Sequence, residues 1–198
     1  MTQAKVKLAS FEEYLAYSDE TPLDGRYELV GGELVELPPE SRLNSTVAIR
    51  VLLALLAAGI GVELIHPGKC EVQVPVLQSR DAANRYPDLV VLRLEHLALT
   101  QRRLTITRDM PPPRLIVEVV SPGKTNRDRD YGQRRAQYAA IGVPEYWLVD
   151  PVAETVLVLT LAGAGYQEVG VFGAQAAIAS VEFPDLALRV EQLFAAER

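Results

Sequence analysis

Asp88 and Glu118 are the residues of this chain best placed to do chemistry. Asp88 opens the run Pro87-Asp88-Leu89-Val90-Val91-Leu92, and Glu118 stands inside Leu115-Ile116-Val117-Glu118-Val119-Val120. Both runs read as buried β-strands. An ionised carboxylate in such surroundings is very costly to bury, and it persists only when paired, neutralised or bound to metal. Two acids, each on its own apolar strand, predict a site where a divalent cation absorbs the charge. Neighbouring strands lie about 4.8 Å apart, and side chains across them approach within roughly 4.5–7 Å. Matching register therefore lets both carboxylates converge on one ion. Mg²⁺, or Mn²⁺ as its substitute, binds through one or two carboxylates and keeps several waters, and the carbonyl of Val119 can add an oxygen. Such a site activates water and neutralises phosphate charge in an in-line displacement.

Several elements must position these acids. A short amphipathic helix is expected over 11–17. Residues 26–30 and 33–37 alternate on either side of Gly31-Gly32, the pattern of a β-hairpin. Ser41 or Asn44 can cap a helix that runs to about Ala58 and ends at Gly59. Its only charge after the first turn is Arg50, which predicts packing on both sides. Residues 61–65 and 69–76 read as strands, 78–85 as a polar loop, and 95–110 carries no clear pattern. Pro111-Pro112-Pro113 stiffens the approach to the Glu118 strand, and Ser121-Pro122-Gly123 ends it. A helix over about 127–141 and a strand over 144–149 complete a strand–helix–strand unit, which predicts a parallel crossover. Strands over 155–160, 166–171 and 186–190 and a short final helix follow. The fold class is mixed α/β, with helices flanking a mixed central sheet. We expect one domain over 1–198, with a core at about 41–150, an N-terminal helix and hairpin at 10–37, and a C-terminal β extension at 151–198.

Composition narrows the function. The 198 residues are 48% hydrophobic, ordinary for a globular protein. The longest apolar stretch, 51–60, is too short to cross a bilayer, which takes about 20 residues. Residues 1–5 show no signal-peptide pattern, and Cys70 is the only cysteine, so the expected location is a reducing cytoplasm. A net charge of −6 argues against a uniformly basic nucleic-acid binder. Between 114 and 135, however, six cationic side chains face three acidic ones, a local basic surface or a solvated helix face. Gly123-Lys124-Thr125 sits between strand and helix as a phosphate loop would. The glycine such a loop needs five positions before Gly123 is Glu118, and Pro122 removes a backbone N–H. A zinc site is equally unsupported, because His66, Cys70 and His96 lack paired spacing. Each is read as a core or surface residue, and Tyr146 and Trp147 are expected to pack in the core rather than stack on bases.

The chain resembles the PD-(D/E)XK, or restriction endonuclease-like, nuclease superfamily, and more closely the Uma-type putative restriction endonuclease family. The resemblance is carried by Tyr27-Glu28-Leu29-Val30-Gly31-Gly32-Glu33-Leu34 and Tyr86-Pro87-Asp88-Leu89-Val90-Val91. It continues through Val117-Glu118-Val119-Val120-Ser121-Pro122, Asp130, Tyr138 and Gly142-Val143-Pro144-Glu145-Tyr146-Trp147-Leu148-Val149-Asp150-Pro151. It covers most of the chain. It implies a restriction endonuclease-like core, with Mg²⁺-dependent phosphodiester hydrolysis and Asp88 and Glu118 as metal ligands. Two positions depart from it. The motif's lysine, two residues after Glu118, is Val120 here, and the lysine usual on the following helix matches Arg134. Asn44 stands where a histidine is common.

Helical spacing bears on Arg134 independently. Tyr131, Arg134, Tyr138 and Ile141 fall on one stripe, which predicts that Arg134 faces the sheet with its apolar neighbours. An inward arginine beside two acids suits a phosphate or transition-state clamp, but it stays protonated and cannot be a general base. The competing assignment is an i,i+4 ion pair with Asp130. Lys124 could swing over the site or remain a solvated loop residue. Glu28 is a candidate third acid, with an outward hairpin position as the alternative. The expected function is an endonuclease acting on nucleic acid, most readily DNA, and a homodimer would suit the cutting of two strands. The alternatives are a nuclease-fold protein that binds nucleic acid or assembles without cleaving, and a hydrolase of small phosphoesters.

Overall fold

The computed structural model describes residues 6–121 and 129–195. Helix α1 (Phe11–Glu20) starts at Ser10, whose hydroxyl accepts from the Glu13 N–H at 3.2 Å. The expected hairpin follows as β1 (Tyr27–Val30) and β2 (Glu33–Glu36), paired antiparallel. Gly31 and Gly32 turn it with φ of +59° and +87°. This is left-handed backbone that costs glycine little, and it matches the twist of the flanking strands.

Helix α2 (Arg42–Ala57) is capped by Ser41, which accepts from the Asn44 N–H at 3.1 Å. Its buried face is Val47, Ala48, Val51 and Leu55. Ile49 and Leu53 are exposed, so the helix packs on one side rather than the expected two. Low charge in a helix lying on the outside of a sheet leaves an apolar outer stripe and does not create a second partner.

A 3₁₀ turn (Val62–Leu64) leads into β3 (Ile65–Pro67), so the strand expected over 61–65 is a turn followed by a short strand. The strand expected over 69–76 narrows to β4 (Glu71–Gln73). Next come β5 (Asn84–Arg85), β6 (Leu89–Val91), α3 (His96–Leu99), β7 (Thr105–Ile106) and β8 (Leu115–Val119). Residues Arg129–Arg134 wind as a π-helix that continues into α4 (Arg135–Ala140), and β9 (Glu145–Asp150) follows. β10 (Thr155–Ala162) and β11 (Gly165–Gly173) form a second hairpin, and α5 (Val190–Phe194) ends the described chain.

The central sheet has the order β11-β10-β9-β8-β6-β3, and β5-β4-β7 make a smaller one. β8 and β9 are parallel, joined through the π-turn and α4, and the other central pairs are antiparallel. Residues after 150, expected as an extension of the core, add two strands to this same sheet. No strand forms over 186–190. Leu186, Leu188 and Val190 are buried in alternation, but the ladder shrinks to one bridge, Ala177 to Arg189. There the period of two records burial and not pairing.

The sheet carries a core on each face. Leu115, Val117, Val119, Trp147 and Val149 pack with α2 and α5, while Ile116, Val120, Tyr146 and Leu148 pack with Tyr138 of α4. With both faces covered, the central strands must be continuous apolar runs. That is why an acid within them stands out. Among the described residues, no helix is long and apolar enough to cross a membrane.

Candidate active site

The acids come together at the end of the β6–β8 ladder. Its last pair is Leu89 with Val117, so Asp88 and Glu118 occupy the next positions on adjoining strands. Asp88 stands at a bend just ahead of β6. Its Oδ2 accepts from the Val119 N–H at 2.6 Å, taking a donor that the ladder no longer uses. Asp88 is 8% exposed and Glu118 is 1% exposed. Both line a cleft of ≈ 230 Å³, together with Glu40, Asn44, Val119 and Arg134.

Glu118 is held at both ends. Its Oε1 accepts from the Tyr138 hydroxyl at 2.6 Å, and its Oε2 from Nη1 of Arg134. The same Nη1 lies 3.4 Å from Asp130, and Nη2 lies 3.8 Å from Oε1 of Glu28. Arg134 therefore faces inward and forms the i,i+4 contact with Asp130 as well. Both arrangements coexist because a forked guanidinium can serve several carboxylates at once. Glu28, for which an outward position was the alternative, is buried. Its Oε2 accepts from Nη1 of Arg85 at 2.9 Å.

The hairpin brings Glu28 here by docking on β5. The Leu29 N–H donates to Oδ1 of Asn84 at 2.8 Å, and Nδ2 of Asn84 donates to the Tyr27 carbonyl at 2.8 Å. Arg85 donates through Nε to Gln137 at 2.9 Å, and Gln137 in turn holds the carbonyls of Pro75 and Ala82. Arg85 and Gln137 thus belong to the network, although Arg85 lies in the stretch expected as a polar loop and no role was expected for Gln137. The polar stretch Asn84-Arg85-Tyr86 directly before Pro87-Asp88 was the available signal.

Burial raises the Asp88 carboxyl well above the usual carboxylate range. The charges of Glu118 and Glu40 add to that effect, and the Val119 N–H and Arg134 oppose it. For Arg134, burial works to lower the pKa, but electrostatic interaction with Glu118 first, and then with Tyr138, Asp130 and Glu28, holds it well above its ordinary value. Burial and the charge of Glu118 raise the Tyr138 phenol well above its usual range, so it remains a donor.

The cleft offers a hard, all-oxygen donor set of two carboxylates and the Val119 carbonyl. That carbonyl accepts from Nδ2 of Asn44 at 3.3 Å and has a second lone pair. Asn44 also reaches the Ser121 hydroxyl at 3.3 Å. Two close buried acids, one of them pushed toward its neutral form, fit a divalent cation bound through one or two carboxylates. Among the described residues, no group of three or more His, Cys, Asp or Glu side chains could cage a metal. Lys124 lies outside the described residues. Cys70 and His96 are buried away from the cleft, with His96 bonded to the Arg93 N–H and the Pro111 carbonyl.

Comparison with known proteins agrees with this architecture. The family model "Uma2: Putative restriction endonuclease" matches residues 11–191. The crystal structure of a "putative nuclease belonging to DUF820" from Anabaena variabilis ATCC 29413 has the same fold. It superposes with a TM-score of 0.63 at 16% identity, covering 98% of each chain. No protein of curated function matches the chain.

Proposed function

Starting from a chain that belongs to the Uma2 family of putative restriction endonucleases, we propose that it hydrolyses DNA phosphodiester bonds at the Asp88–Glu118 pair with the help of Mg²⁺. The observation that carries this reading is the pair itself, two buried carboxylates on adjoining strands that share one cleft. Asp88, Glu118 and the Val119 carbonyl are the residues that would hold the cation. Mg²⁺, or Mn²⁺ in its place, supplies a more acidic water and neutralises charge on the scissile phosphate.

The chain's own groups do the positioning. The Val119 N–H orients Asp88, and Tyr138 orients Glu118. Arg134 and Lys124 are the cations assigned to the phosphate, and Glu28 assists through Arg134. No residue of this set is a lysine at the motif position, and Arg134 cannot accept a proton. Two copies would supply the two centres that a double-strand cut needs.

A second reading has its own support. Arg134 is ion-paired with Glu118, as it would be in a nuclease fold that binds nucleic acid or assembles without cutting it. Plasmid DNA separates the two. Wild-type protein in Mg²⁺ or Mn²⁺ should nick or linearise it, and Asp88→Ala and Glu118→Ala should leave it intact. Salt-sensitive binding without cleavage in either metal would return the second reading. Turnover of a small phosphoester without DNA affinity would overturn both.

A further inference from the structure

We infer that Arg134 is a displaceable stand-in for the cation at Glu118, and that Glu28 is the carboxylate that receives it when a divalent ion arrives. This rests on the metal-binding role proposed for Glu118. Two atoms carry it. Oε1 of Glu28 and Nε of Arg134 are both buried, and neither has a hydrogen-bond partner. Buried polar atoms are nearly always satisfied, so two left open on the partners of one long ion pair mark an arrangement with a second state. Oε1 of Glu28 already lies 3.8 Å from Nη2 of Arg134, inside ion-pair range but beyond hydrogen-bond range. A shift of about 1 Å brings the two to the length of a charge-assisted hydrogen bond.

Competition at Glu118 supplies the reason to move. The guanidinium occupies Oε2 of Glu118 and also lines the cleft. A divalent ion on the same carboxylate would stand beside a buried positive charge, and in a poorly screened interior that repulsion is strong. Arg134 does not have to become uncompensated in leaving. Asp130 lies 3.4 Å from Nη1, and Glu28 is ready on the other side. The receiver is fixed in place. Oε2 of Glu28 is tied to Arg85, Arg85 to Gln137, and Gln137 to the carbonyls of Pro75 and Ala82. The planar fork of arginine suits the exchange, since it can loosen one carboxylate while closing on the next. Glu28 is thus a positioning residue acting through Arg134.

The test is a double-mutant cycle read by Mn²⁺ affinity, using the electron paramagnetic resonance of free Mn²⁺ on the full chain. Glu28→Gln should weaken Mn²⁺ binding about tenfold when Arg134 is present and less than twofold in the Arg134→Met background. A simple loss of negative charge would weaken it equally in both, and that result overturns the inference. Wild-type protein gives a second readout that does not depend on any variant folding. On titration with Mg²⁺, the side-chain ¹⁵N resonances of Arg134 should shift while those of Arg85 hold. Binding that leaves the Arg134 signals unmoved overturns the inference while the metal site survives. Absence of Mn²⁺ binding by the wild type removes the metal reading itself and the inference with it.

Discussion

Asp88 and Glu118 occupy adjoining strands one step beyond the Leu89–Val117 pair, where the β6–β8 ladder ends and a side chain replaces the backbone as hydrogen-bond acceptor. Two acids meeting inside a sheet covered on both faces are an electrostatic burden on the fold. Active sites commonly accept such a burden in exchange for function.

Removing that burden should stabilise the protein. The Asp88 carboxyl is raised, first by burial and then by the charge of Glu118, so the folded state holds its proton to higher pH than the unfolded chain does. Stability contributed by the protonated form is present at low pH and is lost as pH rises from the unfolded value near 3.9 through the raised folded one. Asp88→Asn has no such loss. Its melting temperature should exceed the wild type's at pH 8 by roughly 2–4 °C, the shift that about 1 kcal/mol makes in a domain of this size. The difference should narrow as pH falls toward 4. A variant less stable than wild type at pH 8 in metal-free buffer would contradict the charge argument.

Glu118 should behave in the opposite way. It is the carboxylate closest to Arg134, and removing one partner of a buried ion pair costs about 3–5 kcal/mol because the other charge stays behind. Asp130 and Glu28 remain near the guanidinium, so Glu118→Gln should lose less, about 2–3 kcal/mol in urea unfolding. A neutral effect would mean that Asp130 and Glu28 alone satisfy the arginine.

These two acids were legible in the sequence because central strands admit no charge without a reason, and each sat in an otherwise apolar run. The hairpin was equally legible, since Gly-Gly between alternating segments has few other uses. Glu28 and Arg85 were not. Whether a hairpin residue faces solvent or another element depends on where the hairpin docks, and that is decided by Asn84 bonding to Tyr27 and Leu29 along the edge of β1 that β2 leaves free. The π-turn at Arg129–Arg134 was also invisible, because a change in helical pitch leaves the residue types of the inward stripe unchanged. The same limit explains 186–190, where alternating burial looked like pairing.

The hairpin that delivers Glu28 should be unequally sensitive at its two glycines. A Cβ on Gly31 would meet nothing within 4 Å, whereas one on Gly32 would sit 2.9 Å from the Leu8 carbonyl oxygen. Both have positive φ, which costs alanine about 1 kcal/mol or more. Gly31→Ala should therefore lose only that amount, and Gly32→Ala clearly more, since the backbone at Leu8 must also give way. Urea denaturation of the two variants measures the difference. Equal losses would show that the Leu8 segment yields freely.

Tyr138→Phe tests whether Glu118 is held for metal binding. The phenol donates to Oε1 of Glu118 at 2.6 Å, and the charge of that carboxylate helps keep it protonated. Losing a hydrogen bond to a charged group costs about 1.5–3 kcal/mol. Outer partners of ligating groups typically change metal affinity by roughly 10–100-fold. We expect both effects, with Mn²⁺ affinity falling at least about tenfold. Tyr166→Phe is the control. It deletes a hydroxyl that donates to the Val143 carbonyl at 2.8 Å, away from the cleft. That variant should lose stability and keep its affinity. If the two variants lower Mn²⁺ affinity alike, the loss reflects general loosening of the fold, and Tyr138 has no specific part in the site. If Tyr138→Phe alone does so, the hydrogen bond to Glu118 is part of how the site holds its ion.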